Sequence, residues 1–544
     1  MAEALKGTLN NAYVRSVRRN PQIGMFALGT VLLVASLLAT YRHAGFTSDD
    51  VMFQNALLHW RPFSGDIFFD NQDGTFIAQA PLYWLVSLVV APGRHALLAD
   101  GILLSLINFG LVYYSLLYFL RVFEIKVTWL TLSPTLLLSA FGYGLNRLYI
   151  GANYHTLSIG LIFVLLTLIS KLCRRELGIG KMWSRVLVGA GIAVLVGAAI
   201  VNDRYFVYFG FVPALALTAL LLYKKIVSIK RASAVFTVLI AGYGVAIIIK
   251  HLLPHIGIVL TFGVGAPNFV AFSDFGNNLM NALHSLLYIF GINFFGQPVA
   301  SAETVASFIC AVVLIVTIVT SIERLRSPDA QPELTVLCAL FWFAVIAYAV
   351  SSFNLGTVQT FRYLAIVPFL AIPILSVRLS LLGLSRVSRI ALVSATGFAA
   401  AVCIGVNGLG SVSAAAATMI GWSNNNTYNL QLTDALKSAG VSKGYAEYWN
   451  SHINTYLSGG NVSIQPVLCD GGTTVPYQAF VDYDALVKPS TKSFYMFVPK
   501  APLCTEAQVQ SQFGEPSKRL NLSGNEIWIY NYDINRHMNM SSLR

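Results

Sequence analysis

The chain has 544 residues, 56% of them apolar and only 11% charged, with a net charge of +12 and a mean hydropathy of +0.65. A soluble protein carries roughly 25% charged residues, and several runs here approach or pass the ~18 uncharged residues needed to cross a hydrocarbon core; a soluble globular class is excluded. Six short segments (1–21, 121–126, 171–185, 224–231, 322–333 and 378–389) hold 20 of the 36 Lys and Arg, against seven in the opposite short loops, so the basic excess marks the cytoplasmic side and not a nucleic-acid partner.

The basic segment 1–21 precedes an apolar run, 23–41, that lacks a small-residue cleavage pattern. A retained first span is expected rather than a cleaved signal peptide. The first outer loop, 42–80, follows. It concentrates five carboxylates within twenty-five positions: Asp49, Asp50, Asp66, Asp70 and Asp73. Inside it Val51, Met52, Phe53, Leu57, Leu58 and Trp60 alternate with Gln54, Asn55 and His59, the pattern of a short helix lying in the interface. Residues 80–91 are too few for a comfortable crossing and stop at Pro92-Gly93, so they read as juxtamembrane or re-entrant.

Further crossings are expected at about 97–120, 127–145, 156–170, 186–201, 207–223, a stretch rising to Lys250, 303–321, 334–351, 361–377 and 390–410. The total is about 11 spans, with the amino terminus inside and the carboxy terminus outside. The outer segment 251–302 has apolar stretches too short to span. It reads as a partly embedded loop, tolerable only where protein or a water-filled cavity satisfies its backbone.

The composition turns polar near Gly421. Residues 421–544 show helix-like patterns at 430–439 and 505–513 and strand-like ones at 462–469, 493–498 and 526–532. The fold class is therefore mainly α: a polytopic bundle over 22–420 with an extracytoplasmic α/β domain over 421–544. Cys469 and Cys504 are the only cysteines of that domain, and in an oxidising compartment a disulfide between them is expected. An aromatic and amide-rich stretch, 443–450, has two readings, sugar stacking or a small core.

Nearly every polar residue able to form a site falls in an outer loop: Asp49 and Asp50 in the first, Asn153 and His155 in the second, Asn202, Asp203 and Arg204 in the third, Arg362 and Tyr363 in the fifth. Ionisable residues at membrane depth usually face a cavity, and their recurrence on one side suits a site opening outward. Asp203 and Arg204 are adjacent and point in different directions, which fits ion pairs with neighbouring loops. Asn153 and His155 are either functional or hydrogen-bonded loop residues. Asp70 to Gly74 lacks the ligand count and closing Glu of a calcium loop, so no metal site is read there. No phosphate-cradling glycine loop appears on the inner side.

An adjacent Asp pair just beyond the first span, then an amphipathic stretch and the Pro81-Leu82-Tyr83-Trp84 re-entry, resembles the GT-C superfamily of membrane glycosyltransferases, with a layout like that of the ArnT and protein-mannosyltransferase families. The resemblance covers roughly residues 20–410 and rests on layout. It implies an inverting sugar transfer from a polyprenyl-phosphate donor to a glycan, lipid or protein acceptor, with membrane lipid as the surrounding partner and no nucleic acid. By the same resemblance Asp49 and Asp50 match the acidic motif that supplies the base, and Arg362 with Tyr363 matches the donor-phosphate end; Asn153, His155 and Arg204 are further substrate-binding candidates. No cofactor is implied, although some branches hold a divalent cation on the acidic motif.

Many relatives carry another carboxylate in the second outer loop, where this chain has Asn153-Tyr154-His155. The implied home is a bacterial cytoplasmic (inner) membrane. The other class of function is a non-enzymatic carrier or transporter of lipid-linked sugars. A carrier would more naturally show inverted repeats, and no internal repeat is visible.

Overall fold

The computed structural model describes residues 20–41, 51, 54–55, 67–70, 76–140, 155–174, 176, 182–261, 268–292, 294, 298–352, 354, 360–409, 426–477, 483–499, 502–522 and 524–539. Long apolar helices build its bundle: α1 (Pro21–Tyr41), α3 (Arg94–Val122), α6 (Thr156–Arg174), α7 (Met182–Asn202), α9 (Ile229–Leu252), α11 (Ala302–Arg326), α12 (Pro332–Val350), α13 (Ile366–Leu381) and α14 (Arg386–Leu409). Among the described residues nine helical segments are long and apolar enough to cross a membrane.

The two remaining predicted crossings are shorter. The third is broken into α4 (Trp129–Leu132), a 3-10 turn (Ser133–Leu136) around Pro134, and α5 (Leu137–Ala140). The sixth is a π-helical turn (Val207–Phe211) leading into α8 (Val212–Tyr223). A proline lacks the N–H that a continuous α-helix needs, which accounts for the first break. Between α1 and α3 the helix α2 (Phe76–Ser87) ends before Pro92, and it is too short to span the bilayer.

Helix contacts follow from side-chain size. A Cβ on Gly197 of α7 would stand 2.6 Å from Val245 of α9, and one on Gly242 of α9 would stand 2.7 Å from Val196. These two glycines let the helix backbones approach, the small-residue packing typical of membrane bundles. Leu187 and Val194 of α7, like Ile240 and Ile248 of α9, lie exposed. In water that would be a liability; in lipid it is the expected outer surface.

Two outer loops are stitched together by a feature with no clear sequence signal. β1 (Ile67–Asp70), from the first outer loop, pairs in parallel with β2 (Ile258–Thr261), with Ile67 opposite Ile258 and Asp70 opposite Thr261. Beyond it α10 (Phe275–Ile289) packs beside α12, where Asn278 Nδ2 donates to Ala349 O at 2.6 Å and to Ser351 O at 3.0 Å.

The carboxy-terminal region begins with α15 (Asn426–Ser438) and continues β3 (Lys443–Glu447), α16 (Tyr448–Leu457), β4 (Ser463–Asp470), β5 (Thr473–Pro476), α17 (Tyr483–Val487), β6 (Ser493–Phe497), α18 (Glu506–Phe513), β7 (Lys518–Leu522) and β8 (Asn525–Tyr530). The six strands form one sheet in the order β5-β4-β3-β6-β8-β7. β3 lies at its centre, parallel to β4 and β6. Tyr445 of β3 is fully buried among Tyr495, Trp528 and Tyr530, so within 443–450 the small-core reading holds for that ring. Lys443 is buried too, and its Nζ donates to Leu486 O, Lys488 O and Asp533 Oδ2 at 2.9, 2.6 and 3.0 Å.

Cys469 and Cys504 form the expected disulfide. It closes a 35-residue separation, and such a link contributes about 3 kcal/mol by limiting the unfolded chain. Cys504→Ser is expected to lower the unfolding free energy of this domain by that amount, read from its urea dependence by proteolysis of the full-length protein in detergent. Burial raises the Glu447 carboxyl above its ordinary value, partly offset by the Asn450 amide. A raised folded value means the folded state holds the proton more tightly. Stability from Glu447 is therefore complete below the ordinary carboxyl value and is lost as pH rises through the raised one. Glu447→Gln is expected to flatten that weakly acidic slope of the urea midpoint.

Candidate active site

His155 immediately precedes α6 and holds a left-handed backbone, φ 60°. Outside glycine that region is uncommon and costs on the order of 1 kcal/mol. The His155 carbonyl accepts the Ile159 N–H at 2.9 Å, so this unusual residue caps the helix. His155 Nδ1 meets Asp203 Oδ2 at 2.8 Å, and both side chains are almost completely buried. Asp203 follows α7, and its Oδ1 accepts the Tyr205 N–H at 2.8 Å. One carboxylate thus orients the imidazole and fixes the turn that carries Tyr205.

The rings then stack. Tyr205 lies 4.3 Å from the His155 ring, with 16° between the planes, and Phe209 stacks on Tyr205 at 4.1 Å. Tyr363 stands 5.8 Å from His155, and its carbonyl accepts the Tyr205 hydroxyl at 3.2 Å. The Arg362 guanidinium sits 5.3 Å from the centre of the Tyr363 ring, within cation–π range. With Asp203 on Nδ1, Nε2 is the polar atom of His155 still able to take a hydrogen bond. It is buried and has no hydrogen-bond partner among the described residues.

Arg362 and Tyr363 are set by the short 3-10 turn Phe361–Leu364 that opens α13, whose Phe361 and Leu364 are buried. Just before it, Thr360 Oγ1 lies 3.0 Å from the Tyr348 hydroxyl, which lies 3.1 Å from Ser285 Oγ. This chain of hydroxyls ties the fifth outer loop to α12 and α10. Arg204 lies in the turn just after α7, between Asp203 and Tyr205.

Of the residues singled out in the sequence, His155, Arg362 and Tyr363 come together, while Asp49, Asp50 and Asn153 lie outside the described residues. The chain just beyond Asp50 is anchored firmly. Val51 is fully buried. Gln54 Nε2 donates to Asp100 Oδ2 at 3.1 Å, and Asn55 Nδ2 lies 3.2 Å from His452 Nδ1. His452 belongs to α16, whose Tyr456 hydroxyl lies 2.7 Å from that of Tyr83 and accepts the Gly93 N–H at 3.2 Å. The carboxy-terminal domain therefore docks on the segment that follows the Asp pair. Asp100 escaped the sequence reading, although one carboxylate inside an otherwise apolar run is a recognisable signal. Asp203 was legible only as a loop ion-pair partner. Among the described residues no group of three or more His, Cys, Asp or Glu is arranged to hold a metal.

Fold and site together define a polytopic helical membrane protein with a carboxy-terminal α/β sheet and a buried His–Asp pair walled by tyrosines. No family model and no curated protein matches the sequence. Among solved structures, the crystal structure of ArnT from Cupriavidus metallidurans in the apo state is similar over 95% of this chain and 98% of that one, at 10% identity and a TM-score of 0.40.

Proposed function

We propose that the protein is a membrane glycosyltransferase of the GT-C type, moving a sugar from a polyprenyl-phosphate donor to a glycan, lipid or protein acceptor on the extracytoplasmic side of the cytoplasmic membrane. The observation that carries this reading is the meeting of three outer loops at His155, Asp203, Tyr205, Tyr363 and Arg362. A cation beside aromatic faces and a hydrogen-bonding imidazole suits a phosphosugar. Tyrosine faces accept sugar rings, and an arginine fork matches phosphate oxygens.

In the reaction an acceptor hydroxyl attacks the anomeric carbon and the carbon–oxygen bond to phosphate breaks. The hydroxyl proton passes to Asp50 or Asp49, and polyprenyl phosphate leaves with its new charge on Arg362. His155, held through Nδ1, presents Nε2 to a substrate hydroxyl. The orientation follows from the lysine and arginine distribution.

The test is whether membranes containing the protein consume radiolabelled polyprenyl-phosphate sugars from a panel and release free polyprenyl phosphate. Release in step with acceptor labelling supports transfer. Movement of intact donor across the membrane with no bond broken would instead identify a carrier.

A further inference from the structure

At the opposite, basic end of the bundle a second cavity of about 650 Å3 opens between α1, α3, the loop after α3 and α6. Arg121, Lys126 and Lys171 line it together with Glu124, Tyr114 and Tyr118. Basic residues at inner helix ends are ordinary. Here they surround a built concavity, with an excess of two positive charges.

The walls are fixed. Tyr118 is buried and its hydroxyl lies 2.8 Å from Ser170 Oγ, which donates to Glu333 Oε1 at 2.6 Å, while Arg174 grips the same carboxylate at 2.8 and 3.0 Å. The far wall is held by the Tyr113 hydroxyl, which donates to Gln22 O at 2.7 Å. The floor is fixed as well. Glu124 takes a left-handed backbone, φ 59°, and Ile125 N–H returns to Leu120 O at 2.8 Å. Thr131 Oγ1 donates to Lys126 O at 3.1 Å while forming a capping box with Thr128.

Among the described residues no carboxylate lies within ion-pair distance of Arg121, Lys126 or Lys171, whereas Arg174 and Arg378 each have one. Lys171 Nζ donates to the Tyr114 hydroxyl at 2.5 Å and rests 4.8 and 5.1 Å from the Tyr114 and Tyr118 ring centres. Tyr114 is 48% exposed on the membrane-length helix α3, so one wall of the cavity lies on the outside of the bundle.

We propose that this cavity binds the phosphate of an anionic phospholipid head group, seated on Arg121, Lys126 and Lys171 between the Tyr114 and Tyr118 rings. A water-soluble phosphate has the same polar chemistry; the Tyr114 wall on the outside of the bundle favours the lipid. Basic pockets between helices on the inner side are suited to such head groups, and the volume is that of a small-molecule site.

The test uses full-length protein in detergent, native mass spectrometry, and equimolar dioleoyl phosphatidylglycerol and dioleoyl phosphatidylcholine. The expected result is preferential retention of phosphatidylglycerol. Lys126→Gln and Lys171→Gln are each expected to reduce that preference about fivefold, with unchanged thermal midpoints. Arg389→Gln, an exposed inner-side cation outside the cavity, is expected to leave it unchanged. Equal retention of the two lipids, or a preference that survives both cavity substitutions, overturns the proposal. Displacement of the lipid by an equal concentration of glycerol 1-phosphate overturns the lipid assignment and makes the ligand a soluble phosphate.

Discussion

Asp50→Asn is expected to reduce sugar transfer by about 10²–10⁴-fold while leaving donor binding nearly intact, because a positioned proton acceptor contributes that much to rate and little to ground-state affinity. Asp49→Asn is the paired measurement, since only one of the two carboxylates takes the proton. The structure sharpens the choice by offering a rival. His155 Nε2 is buried without a partner among the described residues, and Nδ1 is held at 2.8 Å by Asp203, the arrangement that orients an imidazole for proton transfer.

If the first-loop carboxylate is the base, His155→Gln keeps a hydrogen-bonding side chain near the substrate and is expected to cost only about tenfold, the value of one neutral hydrogen bond. Single-turnover transfer with a saturating radiolabelled donor separates the two roles. A larger loss in His155→Gln than in either Asp variant would move the base to His155 and its Asp203 partner. Normal transfer in both Asp variants would reduce the pair to a solvated loop.

How much of the fold and site was legible in the sequence depended on the kind of signal each element leaves. The apolar runs that became α1, α3 and α6 report their own length, because lipid acts on each segment separately. Cys469 and Cys504 were readable because no other cysteine in that domain competed. The strands at 463–470 and 493–497 were legible as short, mostly apolar runs.

Pairings between distant segments left no comparable trace. β1 and β2 are four residues each, and nothing in either names its partner. Asp203 was legible as an ion-pair partner of a neighbouring loop, but nothing in the sequence named His155 of the preceding loop. The stretch around Tyr445 carried aromatic composition but hid its position at the centre of the sheet, and hid that the next helix would set His452 and Tyr456 against the first outer loop. Composition and periodicity describe the face an element turns to its surroundings. Which loop reaches that face is decided by the closed fold.

Arg362 carries the second large effect. Its guanidinium stands at the mouth of α13 beside Tyr363, the ring that also flanks His155. In the proposed reaction a cation placed there would meet a phosphate whose negative charge grows as the sugar leaves, so its attraction would be greater in the transition state than in the bound donor. Arg362→Gln is therefore expected to lower kcat by about 10²–10³-fold, the cost of removing one such charged donor, and to weaken donor binding by a smaller factor. Arg362→Lys restores charge without the planar fork or the stacking on Tyr363, and is expected to recover binding more fully than rate. Donor titration and single-turnover rates on the same preparations measure the two quantities. A loss confined to binding would make Arg362 an anchor for the ground-state donor, and the charge of the leaving phosphate would then have to be met by another cation, with Arg204 the first to substitute.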